Sequence, residues 1–73
     1  MPQQVWEQEW EALVRWRDEA QAHARQLQTE ISAALRRRQP PPMQLLRAAD
    51  AAETNLNLAK ARLKAFLRQL SDG

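Results

Sequence analysis

The chain has 73 residues, with 11 Lys or Arg against 9 Asp or Glu, so its formal net charge is only +2. A chain this short buries only about 60% of the surface that its unfolded form exposes, and its stability is marginal without further help. It has no Cys and a single His, His23, which excludes disulfides and the usual zinc sites as that help. The remaining sources of stability are well-packed helices, self-association or a partner protein. A charge so near neutral does not by itself indicate a nucleic-acid partner.

The chain offers no apolar run of about 18 residues, the minimum for a membrane-spanning helix. Its start, Met1 to Gln4, lacks the basic and apolar regions of a secretory signal. We therefore expect a cytoplasmic protein. Its richness in Ala, Arg, Leu and Pro fits a GC-rich genome, which favours a bacterial origin.

The first predicted element is a long helix over about residues 4–38. Its apolar positions recur in alternating steps of four and three, and only Arg17 interrupts them. We expect the Arg17 stem to lie along this row with its charged head in water. Three consecutive prolines then end the helix and give a loop at 39–42, because proline cannot continue a helix. A second helix, about 43–70, repeats the spacing. Together the two rows form the apolar seam, which comprises Trp6, Trp10, Leu13, Ala20, Ala24, Leu27, Ile31, Ala34, Leu45, Ala49, Ala52, Leu56, Ala59, Leu63, Phe66 and Leu70.

The two halves of the seam match when the chain folds back at the prolines. Facing residues then have numbers that sum to 79 or 80, as in Leu13 with Phe66 and Trp10 with Leu70. Through the middle a large residue meets a small one, or Ala meets Ala, which lets two helices approach closely. The sequence thus predicts an all-α fold. It is a single domain over 1–73, formed by a two-helix antiparallel coiled-coil hairpin with an Ala-rich seam.

Large apolar side chains gather at the open end of the hairpin, the end away from the prolines. Four of them serve equally well to close the hairpin, namely Trp10, Leu13, Phe66 and Leu70. The others are harder to bury between only two helices, namely Trp6, Val14, Trp16 and Leu67. Trp in particular is enriched at binding hot spots. We also expect Trp16 to lie against Arg62 in a cation–π contact. The predicted contacts with a partner or a second copy at this end are Trp6, Trp10, Val14, Trp16 and Leu67.

One flank of the seam carries apolar residues that a lone hairpin cannot cover. Val14 and Leu67 lie at its open end, and Leu35 and Leu46 lie near the loop. Docking against a second hairpin would cover this flank in a four-helix bundle. Docking in the groove of a helical-repeat protein would serve equally well. We therefore predict that Leu35 and Leu46 also contact the partner.

Arg36, Arg37 and Arg38 end the first helix and are candidate anion contacts. Basic residues at a helix C-terminus are favourable on their own, because they complement the helix dipole. Nucleic-acid binders usually show a broader basic stripe with aromatic residues beside it. Here the aromatic residues are expected at the opposite end, so a protein partner is preferred over nucleic acid.

No pattern in the chain indicates catalysis. There is no nucleophile with an activating base, no phosphate-binding loop and no metal-ligand spacing. An elongated hairpin also lacks the concave pocket that small ligands require. We expect a non-enzymatic protein without a cofactor, metal ion or small-molecule substrate.

Residues 24–70 show a further similarity. They read as an Ala- and Leu-rich helix, the loop sequence Arg38-Gln39-Pro40, and a second helix with Ala51-Ala52-Glu53 and the seam residues Leu56, Ala59, Leu63 and Phe66. This layout resembles the small E-type co-chaperones of type III secretion systems. The resemblance implies a hairpin that helps a tetratricopeptide-like chaperone hold the needle subunit in the bacterial cytoplasm.

Two other functions share this shape. Rop-like hairpins dimerise into a four-helix bundle and bind RNA, and the Ala-rich seam and uncovered flank also suit such a homodimer. A structural or phage-assembly protein is a third alternative, because one fold carries many functions.

Overall fold

The computed structural model describes residues 3–72. Within them the chain forms two helices, α1 (Gln3–Arg36) and α2 (Met43–Asp72), which pack against each other. The molecule measures 57 × 17 × 16 Å, so its length is close to the roughly 51 Å of a 34-residue helix. The predicted all-α helical hairpin is confirmed. Residues 1, 2 and 73 of the predicted domain lie outside the described part of the chain.

The core of the hairpin is the apolar seam. Its centre is built from small residues, and Ala59 is 0% exposed, which places the two backbones close together. Most other seam residues are half-buried, whereas Trp6 and Leu70 in the last layer are exposed. Within residues 5–72 the buried apolar residues all lie on the seam, and they are Ala20, Leu27, Ala52, Ala59, Leu63 and Phe66.

Helix α1 ends at Arg36, two residues before the predicted end at 38, because the chain reverses earlier than the prolines require. Arg38 has a φ of 58°, in the left-handed region. The Gln39 N–H donates to the Ala34 carbonyl and the Arg38 N–H to the Leu35 carbonyl, both at 3.0 Å. This pair of bonds is a Schellman motif, which satisfies carbonyls at a helix C-terminus. Arg38 therefore occupies the position that glycine usually takes.

Helix α2 begins at Met43, as predicted, and extends two residues beyond the predicted end at 70. The Pro42 carbonyl accepts hydrogen bonds from the N–H groups of Leu45 and Leu46, at 3.0 and 3.2 Å. Pro42 is thus the N-cap residue of α2. A proline suits the residues before a helix, because its missing N–H has no partner to lose there.

The pairing of the helices differs from the prediction by about one turn at the open end. The Trp10 ring stacks on Phe66, with centroids 6.1 Å apart and planes at 28°, whereas Leu70 was the expected neighbour. The displacement follows from the Schellman turn. Because the chain has already reversed at Arg38, the extended prolines run back along α1 before α2 begins. Half-buried Pro41 agrees with this path.

Candidate interaction surfaces

The open end of the hairpin presents an apolar surface to solvent. Val5 is 46% exposed, Trp6 40%, Leu67 48% and Leu70 45%. These four residues, which we call the open-end surface, lie in the last layers of both helices and have core neighbours on one side only. Trp6 and Leu67 are predicted contacts that the structure leaves accessible. Sequence reasoning missed Val5, which lies outside the seam and is marked only by its position beside Trp6.

Trp10 serves the interior of the hairpin. It is half-buried, and its stacking on Phe66 is worth about 0.5–1.5 kcal/mol beyond the burial of area. The sequence left open whether Trp10 closes the end of the hairpin or contacts a partner. Its observed position is that of a residue that closes the hairpin. Its use by a partner stays a prediction.

Trp16 also joins the two helices, but not through the predicted contact with Arg62. Its indole Nε1–H donates a hydrogen bond of 3.0 Å to the Asn55 Oδ1 atom. Asn55 lies one heptad before Arg62 on the same side of α2, two turns nearer the loop. The half-buried Trp16 side chain therefore stabilises the hairpin, and only its exposed part is open to a partner.

An open groove of about 340 Å³ follows the interface on this side of the seam. Glu9 and Gln69, which the sequence predicted as neighbours, lie across it from one another in the two helices, with Arg62 nearby. Its base is apolar and its rim is polar, and both helices contribute to its lining. The residues lining it are Glu9, Ala12, Leu13, Arg62, Ala65, Phe66 and Gln69.

The opposite side of the seam is the flank that the sequence predicted to need cover, and we call it the apolar flank. Val14 is half-buried there, whereas Leu35 is 59% exposed and Leu46 38% exposed. With Leu67, these residues form one apolar patch towards the open end and another beside the loop. The residues between the two patches are polar and exposed, namely Gln21, Gln28, Glu53 and Lys60.

The loop end is basic. Arg36, Arg37, Arg38 and Arg47 are all exposed there. The ion pair found within residues 3–72 lies elsewhere and joins Arg17 to Asp18. The candidate anion contacts therefore face solvent, about one helix length away from the open-end tryptophans.

Arg17 interrupts the seam without burying its charge. Its Nε and Nη2 atoms donate to the Asp18 Oδ1 atom at 3.2 and 3.0 Å. The Arg17 side chain is 38% exposed, and that of its partner is 59% exposed. The stem thus covers part of the seam while the head stays in water, as predicted.

No group of three or more His, Cys, Asp or Glu side chains within residues 3–72 is placed to hold a metal ion. Neither described helix has a stretch both long and apolar enough to cross a membrane. Comparison of the chain with protein-family models, with curated proteins and with solved structures gives no match.

Proposed function

We propose that the protein is a non-enzymatic interaction module, an adaptor or co-chaperone, that binds another protein by burying its helix faces without any chemical step. The observation that carries this proposal is the amount of large apolar side chain that the hairpin leaves exposed. Eight such residues in the described part of the chain are exposed, and six of them lie on the open-end surface or the apolar flank.

The total surface supports the same conclusion. The chain exposes 6146 Å², whereas a compact monomer of 8.5 kDa exposes about 4,700 Å². The surplus of about 1,500 Å² exceeds the roughly 800 Å² that each protein buries in a standard interface. The hairpin can therefore give up a full interface and still keep as much surface as a compact protein of its mass.

Trp6 is the residue best placed to anchor a partner. It is 40% exposed, which leaves about 100 Å² of a side chain of about 250 Å² open to burial. At about 25 cal/mol per Å², burying that area contributes about 2.5 kcal/mol, or roughly a 60-fold change in affinity.

The test is affinity capture with three tagged versions of the chain, namely wild type, Trp6→Ala and Leu58→Ala. Leu58 is 48% exposed but lies outside both surfaces, so it is the matched control. We expect a partner protein to be retained by wild type and by Leu58→Ala, and recovered at least about tenfold less with Trp6→Ala. Circular dichroism should show equal helicity in all three.

Two results would contradict the proposal. One is that wild type retains no protein beyond what an unrelated helical hairpin retains. The other is that Trp6→Ala and Leu58→Ala retain the same amount of partner. Because the two variants remove apolar side chains of similar exposure, general stickiness would affect both equally.

The remaining parts of the proposal come from the sequence. A cytoplasmic location and a role beside a type III secretion chaperone are what the resemblance implies. The RNA-binding homodimer has less support, because the exposed arginines lie at the opposite end from Trp6, and Trp10 and Trp16 are engaged within the hairpin.

A further inference from the structure

We propose that the apolar flank binds a second copy of this chain, turned end for end, to form a four-helix bundle. The inference deepens the proposed function and rests on it, because it names one partner of the hairpin. In this dimer α1 lies against α1 of the second copy and α2 against its α2, with the two loops at opposite ends. Leu67 belongs to both surfaces and is covered in this dimer, whereas Val5, Trp6 and Leu70 of each copy stay free for a different protein.

The order of residues along the flank is symmetric. The two apolar patches are spaced equally on both helices, because Val14 and Leu35 are three heptads apart and so are Leu46 and Leu67, a distance of about 30 Å. A copy turned end for end therefore sets each open-end patch against a loop patch. Such self-complementarity is what a twofold interface requires. From the open end to the loop the flank reads Leu67, Val14, Lys60, Gln21, Glu53, Gln28, Leu46 and Leu35.

The charges in the middle of the flank select this direction. Lys60 and Glu53 are one heptad apart on α2, on either side of the midpoint between Leu46 and Leu67. In the end-for-end dimer each Lys60 lies close to Glu53 of the second copy, so two opposite-charge pairs form. A dimer with both loops at one end would set α2 against α1 of the second copy, so Lys60 and Glu53 would face Gln21 and Gln28 and form no opposite-charge pair.

The surface of the hairpin is sufficient for this interface. Each copy needs to bury roughly 800 Å² for a stable dimer, and the hairpin exposes about 1,500 Å² more than a compact protein of its mass. The flank is accessible along its whole length, since seven of its eight residues are exposed and Val14 is half-buried.

The first test is a charge-reversal cycle followed by light scattering over a concentration series. Wild type should have a mass of about 17 kDa, twice the 8.5 kDa of one chain. Lys60→Glu and Glu53→Lys should each raise the dimer dissociation constant about tenfold or more, because like charges then meet. The double variant should return to within about threefold of wild type. Within one chain neither reversal creates a like-charge pair at i,i+3 or i,i+4, so the helicity of the hairpin should not fall.

The second test addresses the apolar patches. Leu35→Gln should weaken the dimer about tenfold, whereas Leu58→Gln, at a residue of similar exposure outside the flank, should leave the dissociation constant unchanged. A wild-type chain that stays monomeric up to millimolar concentration overturns the inference. So does a dimer whose affinity is not restored in the charge-reversed double variant, since that result means a different interface.

The experiments distinguish failure of the dimer from failure of the proposed function. If the chain is monomeric but Trp6→Ala still loses the captured partner, the interaction module stands and the dimer is wrong. If the chain dimerises as described but captures no partner through Trp6, the dimer stands and the adaptor function is wrong.

Discussion

Replacing Arg38 by glycine should stabilise the hairpin. Arg38 has a φ of 58°, and the left-handed conformation costs a residue with a Cβ atom about 1–2 kcal/mol. Glycine removes that cost but has more freedom in the unfolded chain, which offsets about 0.4–1 kcal/mol of the gain. The net effect is an increase of about 0.5–1 kcal/mol in the free energy of unfolding. In a domain of this size that raises Tm by roughly 2–8 °C.

The assay is thermal unfolding by circular dichroism at one fixed protein concentration, because self-association would make Tm depend on concentration. Arg36→Gly is the matched control. It removes the same charge from the same end of α1, but Arg36 is the last helical residue, where glycine costs up to about 1 kcal/mol. We expect Tm to rise in Arg38→Gly and to fall in Arg36→Gly.

The reasoning fails if Arg38→Gly melts at or below the wild-type temperature. That result would mean that the Arg38 backbone is not held in the left-handed region. If both variants shift Tm by the same amount and in the same direction, the lost arginine charge explains the change and the Schellman motif does not.

Two further substitutions test the packing between the helices by denaturant unfolding. Ala59→Leu adds three carbon atoms at a position that is 0% exposed, and we expect it to cost about 1–3 kcal/mol; an unchanged midpoint would mean that the helices are not in close contact there. Trp16→Phe and Asn55→Ala should each destabilise the hairpin, and the double variant should cost less than their sum by about 0.5–1.5 kcal/mol. Strict additivity would contradict the hydrogen bond between these side chains.

Much of the fold could be predicted because burial in a two-helix structure depends mainly on the angle of a residue around its helix. The steps of four and three identify that angle, and buried residues such as Leu27, Ala59 and Leu63 all lie on the predicted seam. Trp6 and Leu70 share the same angle but are exposed. Their position in the last layer decides their exposure, and periodicity carries no information about position along the axis.

The turn and the side-chain contacts could not be predicted in the same way. A left-handed residue is normally marked by glycine or asparagine, and an arginine at position 38 gives no such indication. The early reversal there displaces α2, which gives Trp10 a different neighbour from the predicted one. Trp16 donates to Asn55 instead of lying against Arg62 because a long indole can reach either residue on the same side of α2, and heptad spacing does not distinguish them.

The single reversal of the chain also determines the order in which the hairpin assembles. Residues that meet across the seam beside the loop are roughly 10 apart in sequence, whereas Trp10 and Phe66 are roughly 55 apart. Closing the longer loop directly costs about 1.5 kcal/mol more in conformational entropy. Contacts beside the prolines therefore form first, and each layer shortens the loop that the next layer has to close. Unfolding runs in the opposite direction. The open end with Trp6 is therefore the last part of the hairpin to form and the first to separate. A protein bound there would stabilise this end against local unfolding.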